Sequence, residues 1–254
     1  MLGHMLINRL QEYSNFDIFD ITRNSSGRKN NYSCDITDLN LLQTLIIKIK
    51  PSFIVNCIGV LIKGSLEDPS NAIFINSYLP HKLANFSDSI GAKLIHISTD
   101  CVFDGLKGSY VETDLKTAQD VYGMSKSLGE INNSGHLTLR TSIIGPELKE
   151  NGEGLLSWVL KQKGEINGFK ESIWGGVTTL VLSDIIIKSI ANQYSGLIHV
   201  TNGKSISKYN LLDLIQRYFV LKDISIVEVP GKYSDKSLNT LFNYFNIPTC
   251  ITSA

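Results

Sequence analysis

Residues 93–105, K-L-I-H-I-S-T-D-C-V-F-D-G, and residues 120–130, D-V-Y-G-M-S-K-S-L-G-E, decide the fold. Leu94 to Ser98 alternates into a β-branched run and reads as a buried strand whose carboxyl end presents Ser98 and Thr99. The second stretch reads as a helix. On it Tyr122 and Lys126 stand four residues apart, one turn along the same face, so their side chains reach the same small space.

This spacing suits proton transfer at a carbonyl. A free Tyr has a pKa of about 10 and is a poor acid or base near neutrality. A neighbouring Lys126 ammonium is expected to favour the phenolate and bring proton transfer nearer working pH. Thr99 could hydrogen-bond the same substrate oxygen and hold it against the phenol. Taken alone, Y-x-x-x-K is equally the solvated face of an ordinary helix.

S-T-D-x-V-F-x-G, an acidic patch and V-Y-G-x-S-K together resemble the catalytic segment of the extended short-chain dehydrogenase/reductases, most closely the dTDP-4-dehydrorhamnose reductase branch. The resemblance implies an α/β fold, a Rossmann-type doubly wound parallel sheet with a smaller C-terminal substrate lobe. It also implies Thr99, Tyr122 and Lys126 as the catalytic set, with Thr99, Asp100, Cys101, Tyr122 and Trp174 facing the substrate. Cys101 departs from the branch, which usually has an aromatic residue there.

The 254 residues are 43% hydrophobic and 19% charged, enough for one large core and a smaller lobe. Net charge is zero, so composition offers no broad attraction to nucleic acid or to an anionic membrane. Cys34, Cys57, Cys101 and Cys250 lack metal-ligand spacing and read as reduced core residues of a cytoplasmic protein. No run approaches the ~18 apolar residues of a membrane span, and the start has no signal-peptide core. The five histidines show no metal-ligand spacing, no metal is expected, and His96 and His199 read as core residues. No G-x-S-x-G elbow of a hydrolase is present.

Outward from the centre, a helix is expected over Leu2 to Tyr13 and a strand over Phe16 to Ile21. Met1-Leu2-Gly3-His4 resembles the tail of the family's G-x-x-G-x-x-G, with Gly3 as the third glycine. Such a turn lets backbone N–H groups at a helix start approach a pyrophosphate. The family's first strand and first two glycines are not in the sequence. A strand ending in G-x-x-G is expected upstream, and the chain as given is expected to bind NADPH weakly or not at all. The sheet would then either close up at its centre or stay open there.

Past that strand, Arg23 stands where an Arg reads a 2′-phosphate, so NADPH is expected rather than NADH; a solvated basic loop is the alternative. Cys34-Asp35-Ile36-Thr37-Asp38 resembles a segment in which Asp35 and Ile36 lie beside the adenine, while Asp38 reads as the cap of a helix Leu39 to Lys50. Phe53 to Gly59 reads as a strand buried on both faces. Its end, Cys57-Ile58-Gly59, resembles the segment that passes under the cofactor, a role the resemblance also extends to Ser98, Tyr122 and Lys126. Asn76, in the family's E-D-P-x-x-A-x-x-I-N, is either a support behind the active-site strands near the cofactor or a helical residue facing solvent.

Later strands are expected at Leu137 to Gly145 and Gly196 to Gly203, a mobile connection from Glu147, and helices at Leu155 to Lys163, Leu180 to Tyr194 and Lys208 to Phe219. Residues 1–146 with about 175–202 are expected to form the dinucleotide-binding domain, and 147–174 with 203–254 the substrate lobe. The resemblance implies NADPH-dependent reduction of the 4-keto group of a dTDP- or UDP-linked deoxyhexulose for surface polysaccharide precursors, by a cytoplasmic enzyme with a homodimer as its expected assembly. A 4,6-dehydratase would carry Asp-Glu after the threonine, where this chain has Asp100-Cys101. An epimerase and a non-catalytic regulatory subunit stay open.

Overall fold

In the computed structural model, residues 1–13, 15–25, 27–133, 135–149 and 152–247 are described; Cys250, Glu150 and Asn151 lie outside them. Four parallel strands form the central sheet in the order Gly196–His199, Leu137–Thr141, Lys93–Thr99, Phe53–Asn56. Lys93–Thr99 lies inside the sheet and is buried along most of its length, which its apolar run Leu94, Ile95 and Ile97 dictates. One face is covered by helices Leu2–Gln11 and Thr179–Asn192, whose Leu2, Leu6, Leu10, Leu182 and Ile186 pack on Ile95, Leu139 and Ile198. On the other, Leu39–Ile49 and Leu79–Ser89 press Leu42, Ile46 and Leu83 against Leu94. Asp38 caps the first of these by accepting from the Leu41 N–H at 2.9 Å.

The centre of the wound sheet stays open. The strand expected over Phe16 to Ile21 is confined to Asp20–Thr22, and it pairs with Asn31–Ser33, a strand the polar sequence did not announce. Among the described residues neither Asp20–Thr22 nor Phe53–Asn56 has a strand on its other side, so four strands and two form separate ladders. Extended backbone persists where a ladder satisfies its N–H and C=O groups, which is why Phe16 to Phe19 forms no strand.

The smaller lobe is more strand-rich than the sequence suggests. Gly164–Phe169 pairs in parallel with Ile224–Val229, and Ser172–Trp174 lies between Ile206–Ser207 and Ser234–Asp235. Helix Lys208–Phe219 buries Leu211, Leu212 and Ile215 beneath them. The helix expected over Leu155 to Lys163 is only Leu155–Val159. After the Ser234–Asp235 strand the chain crosses back to the central sheet. Leu238 enters a cluster with Val102, Phe103 and Tyr110, and Phe242, Phe245 and Ile247 pack on the large core. No helix among the described residues is long and apolar enough to cross a membrane.

Candidate active site

Helix Val121–Leu128 starts at Asp120, whose carboxylate accepts from the Gly123 N–H at 2.9 Å. Gly123 lies so close to the preceding loop that an added Cβ would collide with the Cys101 carbonyl oxygen and stand 2.6 Å from Ala118 Cβ. The bare glycine therefore sets how near Tyr122 comes to the end of the Lys93–Thr99 strand.

Thr99 and Tyr122 meet there. The Thr99 hydroxyl donates to Asp100 Oδ1 at 3.1 Å and accepts from the Cys101 N–H at 3.1 Å. Burial raises the Tyr122 phenol above its ordinary value, the nearby Cys101, Asp100 and Asp120 add to the rise, and hydrogen bonding by Thr99 opposes it. Against the lowering expected from a neighbouring Lys126, burial is the largest cause and the net shift is upward. Lys126 is buried beneath the site, and its Nζ donates to the Ile97 carbonyl at 2.7 Å. Burial lowers its pKa to about 8, with Glu130 opposing.

Asp100 is buried, and burial raises its carboxyl; Lys236 opposes that most, followed by hydrogen bonds with Thr99, Cys101 and Ser142. Burial likewise pushes the Cys101 thiol up to about 12, so it stays neutral. Trp174 turns its indole N–H onto Ser142 Oγ at 2.9 Å. Ser142 and Lys236 are neighbours of the site that the sequence reading did not select. Ser142 was within reach of it, since it directly follows the strand Leu137–Thr141; Lys236 was not, being separated from Asp100 by more than 130 positions.

On the cofactor side, helix Leu2–Gln11 begins at Met1 without a side-chain cap, leaving N–H groups free at its start. A Cβ on Gly3 would lie 3.7 Å from Cys57 Cβ. The helix start and the Cys57-Ile58-Gly59 turn thus face each other. Burial pushes the Cys57 thiol up to about 12, and Ile58 is exposed. Arg23 is exposed and 4.0 Å from the Asp35 carboxylate, which hydrogen bonds from Thr37 and then Arg23 hold below its usual range. Arg28 lies 3.2 Å from Asp20. Ile36 packs under the second face of the sheet.

Two of the selected residues point elsewhere. Asn76 is fully buried in a single π-helical turn, Phe74–Tyr78. Its amide clasps Val60 through N–H and C=O at 2.9 Å each and donates to Ser125 Oγ at 3.1 Å, tying the Gly59 turn to the catalytic helix. Ser98 donates to Glu130 at 2.6 Å. Glu130 also accepts two bonds from Arg140, at 2.8 and 2.7 Å, and Arg140 meets His199 Nε2 at 2.7 Å. Register makes this inevitable, because Ser98, Arg140 and His199 stand side by side on three neighbouring strands. His96 is fully buried beside Asn56. Among the described residues no group of three or more His, Cys, Asp or Glu could hold a metal ion.

The sequence matches the RmlD substrate binding domain family over residues 1–232. It is 27% identical over 222 residues to a dTDP-4-keto-6-deoxy-D-glucose reductase of Streptomyces niveus, covering 83% of this chain and 73% of that one. A hypothetical dTDP-4-dehydrorhamnose reductase from Sulfolobus tokodaii superposes with a TM-score of 0.78 and 29% identity, over 93% of this chain and 88% of the other. The dTDP-4-dehydrorhamnose reductase of Bacillus anthracis, solved in complex with NADP, shares the fold with a TM-score of 0.76 and 24% identity, over 93% of this chain and 85% of that one. With a strand-end threonine, a Tyr and Lys one turn apart and a helix start facing Cys57-Ile58-Gly59, the chain belongs to the RmlD substrate binding domain family.

Proposed function

We propose that this protein is an NADPH-dependent reductase of the 4-keto group of a nucleotide-linked deoxyhexulose, acting in the synthesis of surface polysaccharide precursors. The observation that carries the reading is the meeting of Thr99 and the Tyr122 phenol above buried Lys126, at the carboxyl ends of a parallel sheet. The residues present fit NADP. A helix start with free N–H groups faces a small-residue turn at Cys57, and the exposed Arg23 guanidinium is available to a 2′-phosphate. When bound, the cofactor supplies the hydride.

The chain's own residues supply the proton and the placement. Burial keeps Tyr122 protonated at neutral pH, so it is an acid ready to give its proton to the alkoxide oxygen developing at C4. Thr99 holds that oxygen against the phenol. Lys126 carries positive charge below a pH of about 8 and stabilises negative charge growing above it. Asn76 keeps the Gly59 turn and the catalytic helix in register, and Trp174 and Asp100 wall the sugar site.

The test is NADPH oxidation with dTDP- and UDP-linked 4-keto-6-deoxyhexoses, with product analysis. Consumption of one NADPH per reduced sugar supports the reading. Isomerised sugar without net consumption would make the protein an epimerase, and binding without turnover a non-catalytic subunit. A cytoplasmic homodimer is part of the proposal, and light scattering on the purified chain reads the assembly.

A further inference from the structure

Tyr122 and Lys126 have a third residue in line with them, since Glu130 follows four positions further on. It lies just past the end of helix Val121–Leu128. Gly129 allows this, because an added Cβ there would collide with the Asn76 carbonyl oxygen. The three side chains engage three successive residues of the strand Lys93–Thr99. Lys126 Nζ donates to the Ile97 carbonyl at 2.7 Å, the Ser98 hydroxyl donates to Glu130 Oε1 at 2.6 Å, and Tyr122 meets Thr99. Glu130 is itself held from two further sides. Arg140 Nε and Nη2 donate to it at 2.8 and 2.7 Å, and Lys116 Nζ lies 3.3 Å away while donating to the Ser127 carbonyl at 2.8 Å.

The strand end depends on such a tether. Among the described residues, the register with Phe53–Asn56 stops at His96, so Ser98 and Thr99 have a strand neighbour on one side only, Leu137–Thr141. We propose that Glu130 is a positioning residue, and that its bond to Ser98 fixes the strand end that carries Thr99 against the helix that carries Tyr122. Ser98 is buried and the Glu130 side chain is 1% exposed. Burial acts to raise the Glu130 carboxyl, but Arg140, Ser98 and Lys116 outweigh it and keep the group ionised. A hydroxyl donating to an ionised carboxylate at this distance makes a charge-assisted bond, roughly twice as strong as a neutral one. The bond therefore joins a fixed cluster of charges to the residue next to Thr99. A misplacement of about 1 Å among reacting groups can cost about 10² in rate, so the tether acts where small movements matter.

The bond stands by itself, whereas its effect on turnover rests on the reductase reading. Ser98→Thr and Ser98→Val are matched in size and differ by the hydroxyl. In the NADPH assay S98V should lower kcat by about tenfold, with KM for NADPH and for the nucleotide sugar changed by less than about twofold. S98T should recover most of the loss. The Tyr122 ring supplies a readout that needs no turnover. In full chains carrying carbon-13 at the tyrosine ζ position, with Y122F identifying the signal, S98V should shift the Tyr122 resonance and S98T should leave it near its wild-type position. E130Q turns the bond into a neutral one, so adding S98V to it should cost less in kcat than S98V alone. Should S98V or E130Q fail to fold, S98A and E130D carry the same measurements. An equal extra loss would show that the hydroxyl acts elsewhere and overturn the proposal, as would an unchanged kcat and Tyr122 resonance in S98V. A raised KM for NADPH with kcat unchanged would make Ser98 a cofactor ligand instead, and overturn the positioning role. Should no sugar be reduced at all, the functional reading fails while the Tyr122 resonance still decides the positioning.

Discussion

Single atoms divide the labour between Tyr122 and Lys126. Tyr122→Phe removes the proton donor while leaving the ring, so kcat should fall by about 10² or more with NADPH binding retained. Stopped-flow turnover beside a cofactor titration checks this, and wild-type turnover in the Phe variant would remove Tyr122 from the acid role. Lys126 allows a prediction with a sign. Its folded pKa lies near 8 against an ordinary 10.5, so the folded state gives up the proton before the unfolded state does. Below pH 8 the buried charge costs stability, on the order of 3 kcal/mol for a difference of that size. Wild-type stability should therefore rise between pH 8 and 10.5. Lys126→Met loses the Ile97 hydrogen bond, worth about 1 kcal/mol, but escapes the charge penalty. It should be the more stable protein at pH 7, with an advantage that shrinks toward pH 10.5, and the poorer binder of NADPH. Urea unfolding across that range reads the first effect and calorimetry the second.

Close approach decides matters at the scale of elements. A helix of eight residues, Val121–Leu128, has little stability of its own and is held by docking on the Cys101 loop and the Asn76 turn. Gly123→Ala would usually strengthen a helix, but here the new methyl meets the Cys101 carbonyl and Ala118. It should cost about 1 to 3 kcal/mol in chemical denaturation, as overpacking does, and reduce turnover by displacing Tyr122. The two open ladder sides make a second test. Among the described residues, alternate amides of Phe53–Asn56 have no strand to donate to, whereas Lys93–Thr99 is bonded on both sides. Hydrogen exchange should be much faster in the former strand than at Ile95 and Ile97. Equal protection would mean that the open side is closed in solution.

Across the whole molecule, a buried polar row joins the catalytic strand to the returning C-terminal segment. Glu130 binds Ser98 and Arg140, Arg140 meets His199, and Glu112 accepts from the His199 N–H at 2.8 Å and the Leu241 N–H at 2.9 Å. Arg140→Met leaves Glu130 buried with Lys116 at 3.3 Å and the Lys126 ammonium as cations near it, and should cost about 3 to 5 kcal/mol. Adding Glu130→Gln should recover part of that loss, which a thermodynamic cycle measures. Glu130 is held below its ordinary carboxylate value by Arg140, Ser98 and Lys116 against the cost of burial. Its stabilisation is present above the unfolded value near 4.3 and is lost as pH falls through the lower folded value.

The sequence by itself determined what depends on neighbours along the chain. Period and run length gave the strand at Lys93–Thr99 and the helices over Leu39–Ile49 and Lys208–Phe219, and a four-residue spacing put Tyr122 and Lys126 on one face. The strand ladders of the small lobe and the pair Asp20–Thr22 with Asn31–Ser33 were not legible, because such short strands exist through partners far away in sequence. The same reason hid the polarity of the site. Only the folded chain sets Ser98 beside Arg140 by register, and half-buries Tyr122 so that its phenol rises where the local sequence suggested a fall. Burial and charge proximity are properties of three-dimensional distance, and spacing along the chain fixes that distance only within one helix or strand.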